Sequence, residues 1–243
     1  MCIRDRFRTE AQRVVVVAID RTTRLTETLR ADAQKALAKA LRAGDQIVFV
    51  TFAETSRTGH LREVAVLMVD TPPTAAQQRA VPMSKLKPLT NCLQLQLVRA
   101  RRDLERLTHT LTEPSEGEAA RSEIISALRD IGPRLQASGA RERVLVLLSD
   151  GLEHSSLASF YAHRGLRKIN AEGELATLKA RRGIANLAGV RVYVIGGGLH
   201  AADVGAREST DLDDLQAFWT GYVEASGGKL VGFGRPALIF PIE

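Results

Sequence analysis

Two acidic residues stand directly behind runs of aliphatic residues. Asp20 follows Val14-Val15-Val16-Val17-Ala18-Ile19 and opens Asp20-Arg21-Thr22-Thr23-Arg24. Asp150 follows residues 143–148 (RVLVLL), within Ser149-Asp150-Gly151-Leu152-Glu153. Carboxylates and hydroxyls gathered on two such loops are the hard oxygen ligands of a divalent cation, with water in the remaining places. Asp20 has a plainer use as the cap of the helix behind it. A third segment, Gly196-Gly197-Gly198-Leu199-His200, follows another aliphatic run. It lacks the last glycine of a dinucleotide fingerprint and reads as tight backbone passage. His154 has no second histidine at metal spacing and reads as a surface residue.

The elements that must position these loops follow from hydrophobic periodicity. Residues 14–19 are a continuous β-branched and aliphatic run, and 144–148 an aliphatic one, as in strands buried on both faces; residues 190–195 (VRVYVI) read as a further strand. Residues 46–53 and 61–69 read as a hairpin around a polar loop. Helical spacing marks residues 25–41, 91–110, the stripe Ile124, Leu128, Ile131 and Leu135, and residues 212–222. Pro133 is expected to kink or end its helix, and Ser115-Glu116-Gly117-Glu118 has capping-box spacing ahead of it. Residues 70–89, with four prolines, are expected to form an irregular insertion. Residues 152–187 are expected to be mostly helical, clearest over 174–187, with Ser155-Ser156 starting a helix. A short strand over 229–233 closes the chain. The alternation implies a mostly parallel sheet covered on both faces, with one antiparallel strand. In such sheets ligands bind at the carboxyl ends of the strands, where all three loops fall.

Enzyme motifs are absent. Position 22 is Thr, so the D-x-D of haloacid-dehalogenase-like phosphatases is missing. There is no G-x-S-x-G elbow and no G-x-x-x-x-G-K-S/T loop. The expectation is a protein that is not an enzyme. A Mg2+-dependent hydrolase or phosphatase using Asp20 and Asp150 is the alternative.

Over residues 13–233, apart from the insertion, the chain resembles a von Willebrand factor A (vWA) domain, and most of all uncharacterised bacterial vWA-like proteins. The resemblance rests on Asp20 and Thr22 as D-x-S/T, on Asp150 within Leu147-Leu148-Ser149-Asp150-Gly151, and on residues 143–161 (RVLVLLSDGLEHSSLASFY). It implies a Rossmann-like three-layer α/β/α fold and a metal-ion-dependent adhesion site. That site would take Mg2+, Mn2+ or Ca2+ through Asp20, Thr22, Ser122 and Asp150. Ser122 stands in for the family's middle Thr. A partner's acidic side chain would complete the shell, with Arg24, Gly151, Glu153 and His154 around the rim. Arg24 replaces the family's hydroxyl and cannot ligate a cation. Pointing inward, it would take the metal's place; pointing outward, it would leave room for one.

The chain has 243 residues, 34 Lys and Arg against 28 Asp and Glu, and a net charge of +6. Its length and composition fit one domain over residues 13–243, behind a tail over 1–12. Met1–Arg6 resembles a translated adapter leader and is set aside from the fold argument. The aliphatic runs are too short to span a bilayer. Two cysteines, Cys2 and Cys92, make no C-x-x-C pair, so the cytoplasm is the expected compartment, with a secreted or periplasmic protein the alternative. The basic excess permits an acidic protein partner or a nucleic acid. Two basic stretches stand out: Arg99, Arg101, Arg102 and Arg106, and the run from Arg164 to Arg182. Each has the plainer reading of a solvated helix face. No small-molecule cofactor is expected.

Overall fold

The computed structural model describes residues 11–53, 61–113, 121–162, 165–199, 209–234, 238 and 241–243. Strand β1 (Arg13–Asp20) is buried along its whole length. β2 (Asp45–Phe52) pairs with it in parallel, and β3 (Leu61–Met68) turns back antiparallel as the hairpin spacing predicts. β4 (Glu142–Leu148), β7 (Val190–Ile195) and β8 (Lys229–Phe233) continue the sheet in parallel, giving the order β3-β2-β1-β4-β7-β8. A two-stranded hairpin, β5 (Tyr161–Ala162) and β6 (Gly165–Leu166), stands apart from it.

Helices cover both faces. Val15, Val17 and Ile19 point to a layer of α1 (Glu27–Ala40) and α3 (Met83–Thr112). Val14, Val16 and Ala18 point to the other layer, α4 (Ile124–Ala137), α5 (Ala171–Ala180) and α6 (Ser209–Ala225). Successive strand residues alternate faces, so the strand that builds both cores also fixes where its last residue points. The expected three-layer, mostly parallel α/β fold with one antiparallel strand is the fold observed. No helix among the described residues is long and apolar enough to cross a membrane.

Three expectations are corrected. Residues 70–89 are largely helical: α2 (Ala75–Arg79) carries a Thr74–Gln77 capping box, and α3 begins at Met83. Pro88 lies inside α3 close to its start. Pro88 and Ser84 are both exposed, so the Ser84 carbonyl that loses its helical donor meets water and the break is tolerated. Residues 152–187 are mostly irregular. Ser155 takes the amide of Leu157 onto its own hydroxyl in a bend instead of starting a helix. α5 stops at Ala180, ahead of Arg182 in the left-handed region at φ 56. The third correction is that Pro133 does not end its helix: α4 runs on to Ala137. The capping-box residues 115–118 lie outside the described residues.

At the opposite end of the sheet from Asp20, register places Arg13 beside Asp45. Both are buried, and Arg13 donates to the two carboxylate oxygens at 2.8 and 2.7 Å. Removing one partner strands a buried charge, so Asp45→Ala is expected to lose about 3–5 kcal/mol in urea denaturation. The apolar pair Arg13→Met, Asp45→Leu should recover most of it. A loss within about 0.5 kcal/mol for Asp45→Ala, the scale of an inert surface change, would contradict this.

Candidate functional site

Register also builds the site. Ile19 pairs with Leu148, so Asp20 and Ser149 leave adjacent strands side by side. Asp20 continues the Val14, Val16, Ala18 alternation, and Ser149 continues that of Leu145 and Leu147. Both side chains therefore face the α4 layer. Ser149 Oγ donates to Asp20 Oδ2 at 2.7 Å. Ser122, two residues ahead of α4, donates to the same oxygen at 2.6 Å. Oδ1 accepts the amide and the hydroxyl of Thr22 at 3.0 and 2.6 Å. Asp20 is buried, and its two oxygens take four donors from three segments of the chain.

Asp20 does not cap the first helix. Thr26 does, accepting the amide of Leu29. Thr23 is committed as well, its hydroxyl accepting the amide of Asp150 at 3.2 Å. Arg24 is exposed, and none of the four donors on Asp20 is its guanidinium.

The loop after β4 is held from several sides. Asp150 is buried and accepts the amide of Leu152 at 3.0 Å. Its carbonyl takes the amide of Gly198 at 2.7 Å. Gly198 sits at φ 72, so the glycine triplet serves as the tight passage expected of it and supports Asp150 from below. Gly151, at φ 77, gives its carbonyl to the indole of Trp219 at 2.8 Å. A Cβ there would stand 3.0 Å from that same indole nitrogen. Gly151 is therefore packed beneath the site and not on its rim.

Glu153 is also no rim residue, being 0% exposed. Its Oε2 accepts the amide of Ile125 at 3.0 Å, and Oε1 has no partner. It occupies the start of α4, where Glu123 makes no side-chain cap. Burial, with a smaller push from Asp20, raises its carboxyl from 4.5 to about 8. His154 is half-buried. Its amide donates to the carbonyl of Ser122, its ring meets Ser159 at 2.9 Å, and it leans on Tyr161 at 5.1 Å between centroids. Tyr161 lies within the field of both carboxylates. Burial, then Asp150, then Asp20 push its hydroxyl up to about 12.

Sequence reasoning brought Asp20, Thr22, Ser122 and Asp150 to this end of the sheet. It missed Ser149, Thr23 and Tyr161 as members. Ser149 stands one residue past β4, and the register with β1 brings its hydroxyl to Asp20. Two residues of the later basic stretch make internal contacts, while Lys168, Lys179 and Arg182 are exposed. Arg167 pairs with Glu174 at 2.7 Å and lies over the Phe160 ring, and Arg181 donates to the carbonyls of Ser156 and Leu157. Arg164 lies outside the described residues.

The oxygen set fits a hard cation. A hydroxyl that donates its proton to Asp20 keeps lone pairs for a metal, and two carboxylates supply charge. Among the described residues no group of three or more His, Cys, Asp or Glu gathers, so ligation would rest on hydroxyls.

Glu153 gives the site a pH signature. Between 4.5 and about 8 the folded chain keeps the Glu153 proton that the unfolded chain has released. Stability should therefore fall as pH rises through that window. Glu153→Gln removes the ionisation, so its urea midpoint is expected to gain on the wild type between pH 6 and pH 9, by an amount on the order of a few kcal/mol. Parallel pH dependence in the two proteins would contradict this.

No family model matches the chain, and no curated protein does. Solved structures do. An aerotolerance-related membrane protein from Bacteroides fragilis aligns with TM-score 0.38 and 13% identity, over 88% of each chain. The TFIIH p34 N-terminal domain aligns with TM-score 0.28 and 12% identity, over 88% of this chain and 99% of that one. The PilB minor pilin from Streptococcus sanguinis gives 0.37 and 16%, over 88% of this chain and 56% of that one. At these scores the likenesses add nothing to the fold, which rests on the strand order itself: a three-layer α/β sheet with Asp20 and Asp150 at the carboxyl ends of its central strands.

Proposed function

We propose that the chain is a protein-recognition domain of vWA type. In this reading Thr22, Ser122 and Asp150 hold one divalent cation, Mg2+ first among the candidates, Asp20 supplies the charge behind the two hydroxyls it orients, and an acidic side chain of a partner protein completes the shell. One observation carries the reading. The hydroxyls of Thr22 and Ser122 both donate to a single buried carboxylate, which leaves their oxygens as neutral ligands beside its negative charge. Mg2+ keeps several waters and asks for few protein ligands, which suits so sparse a set. The role is recognition and not catalysis: the residue paired with Asp20 at position 22 is a hydroxyl and no second acid.

Isothermal titration of the whole chain with Mg2+ and with Mn2+ tests this. One saturable site per chain is expected. Asp150→Asn should weaken it by at least the roughly 10- to 100-fold that losing a metal's outer-shell partner causes. Asp20→Ala with Asp150→Ala should abolish it. Silence from wild type and variants alike would overturn the cation.

A further inference from the structure

The net charge of +6 is not spread evenly over the fold. The helices of one layer, α1 and α3, carry nine Lys and Arg against four Asp and Glu, a net +5. The helices of the other layer, α4, α5 and α6, carry three against seven, a net −4. The helices of the two layers thus differ in charge, although the exposed Lys168, Arg181 and Arg182 beside α5 offset most of the acidic count.

The basic face has a focus. Ala100, Leu104 and Thr108 turn one side of α3 into the core. Leu95, Arg99, Arg102 and Arg106, at i, i+4, i+7 and i+11, share the opposite side and are all exposed. The three guanidinium groups fall within about 10 Å along the helix axis, and the exposed Arg101 flanks them. Arg106 shares an exposed pair with Asp103 at 3.1 Å. No ion pair among the described residues holds Arg99, Arg101 or Arg102. These arginines serve no internal contact of the kind that absorbs Arg167 and Arg181.

A guanidinium fork matches a phosphate in geometry and charge. Basic residues gathered along one helix face are the electrostatic footprint of a polyanion. Neither α1 nor α3 contains an aromatic residue, so the face offers no platform for stacking the bases of a single strand. Leu95 (67% exposed) and Val98 (48%) precede the arginines, and Met83 at the start of α3 is its other large exposed apolar side chain. That is too little apolar surface to seat a helix in a bilayer interface.

We propose that the α1/α3 face, through the Arg99–Arg102–Arg106 crest, binds the phosphate backbone of duplex DNA without reading its sequence. This surface is separate from the Asp20 site, whose side chains face the α4 layer, and it does not depend on a cation there.

Fluorescence anisotropy of a labelled 20-base-pair duplex of arbitrary sequence, with the full chain in 50 to 200 mM salt, tests the proposal. With three to four phosphates neutralised, affinity is expected to fall roughly 40- to 150-fold across that range. The variant Arg99→Gln, Arg102→Gln, Arg106→Gln should bind more weakly and lose most of the salt dependence. Arg129→Gln with Lys179→Gln, on the other layer, should behave as wild type. Unchanged circular-dichroism melting of the crest variant shows that it is folded. Four results would overturn the proposal: no binding at 50 mM salt; an unchanged salt slope in the crest variant; tighter binding to a single strand than to the duplex; or binding of poly-glutamate or of phosphatidylglycerol vesicles, but not of the duplex, through the same arginines.

Discussion

One buried carboxylate organises the working end of this molecule. Asp20 receives two donors on each oxygen, three of them hydroxyls and one an amide. A buried negative charge is tolerable only when its lone pairs are filled. Its donors come from its own loop, from the end of β4 and from the segment ahead of α4. Satisfying Asp20 therefore brings together residues 102 and 129 positions away in sequence. Charge-assisted hydrogen bonds in a low-dielectric setting are strong, and losing any one leaves the others under-compensated.

The surrounding loop is arranged to keep those donors in place. The amide of His154 ties the loop to Ser122, and the side chain of Glu153 ties it to the first turn of α4. Trp219 and Gly198 hold Gly151 and Asp150 from the α6 and β7 sides. Each contact joins the site to a helix or strand of the scaffold, which makes the cluster as rigid as the sheet that carries it. Glu153 is the one uneasy member. It is useful to α4 as a distant cap, yet buried beside another carboxyl, and it answers that conflict by holding its proton. The loop thus trades some stability at high pH for a fixed connection between Ser122 and Asp150.

Much of this was legible before any coordinates. A run of six aliphatic residues ending in Asp is informative because a strand buried on both faces must end near a layer boundary, where a polar side chain can reach water or a ligand. That logic located Asp20 and Asp150 and the fold class together. It did not locate Ser149 as a donor to Asp20, because register between β1 and β4 sets that contact. It placed Glu153 on the rim, because a charged residue two positions past a strand-end loop gives no local sign of burial. It read residues 152–187 as helical from composition, while side-chain-to-backbone bonds from Ser155 and Ser159 fold the stretch into bends. Prolines hid the first turns of α3, since their steric cost depends on whether the broken backbone bond faces water.

The basic excess, unremarkable as a total, gains meaning from its distribution over the two helical layers. The sheet that sets Asp20 at one end also carries the exposed arginine crest of α3 on one face, so one scaffold presents two chemically different surfaces. The claim on which everything else rests is that Asp20 binds its loops into one unit. A double-mutant cycle between Asp20→Ala and Ser122→Ala, read by urea denaturation, tests it most directly. A coupling energy of about 1 kcal/mol or more is expected for a buried charge-assisted bond; additive losses would contradict the account.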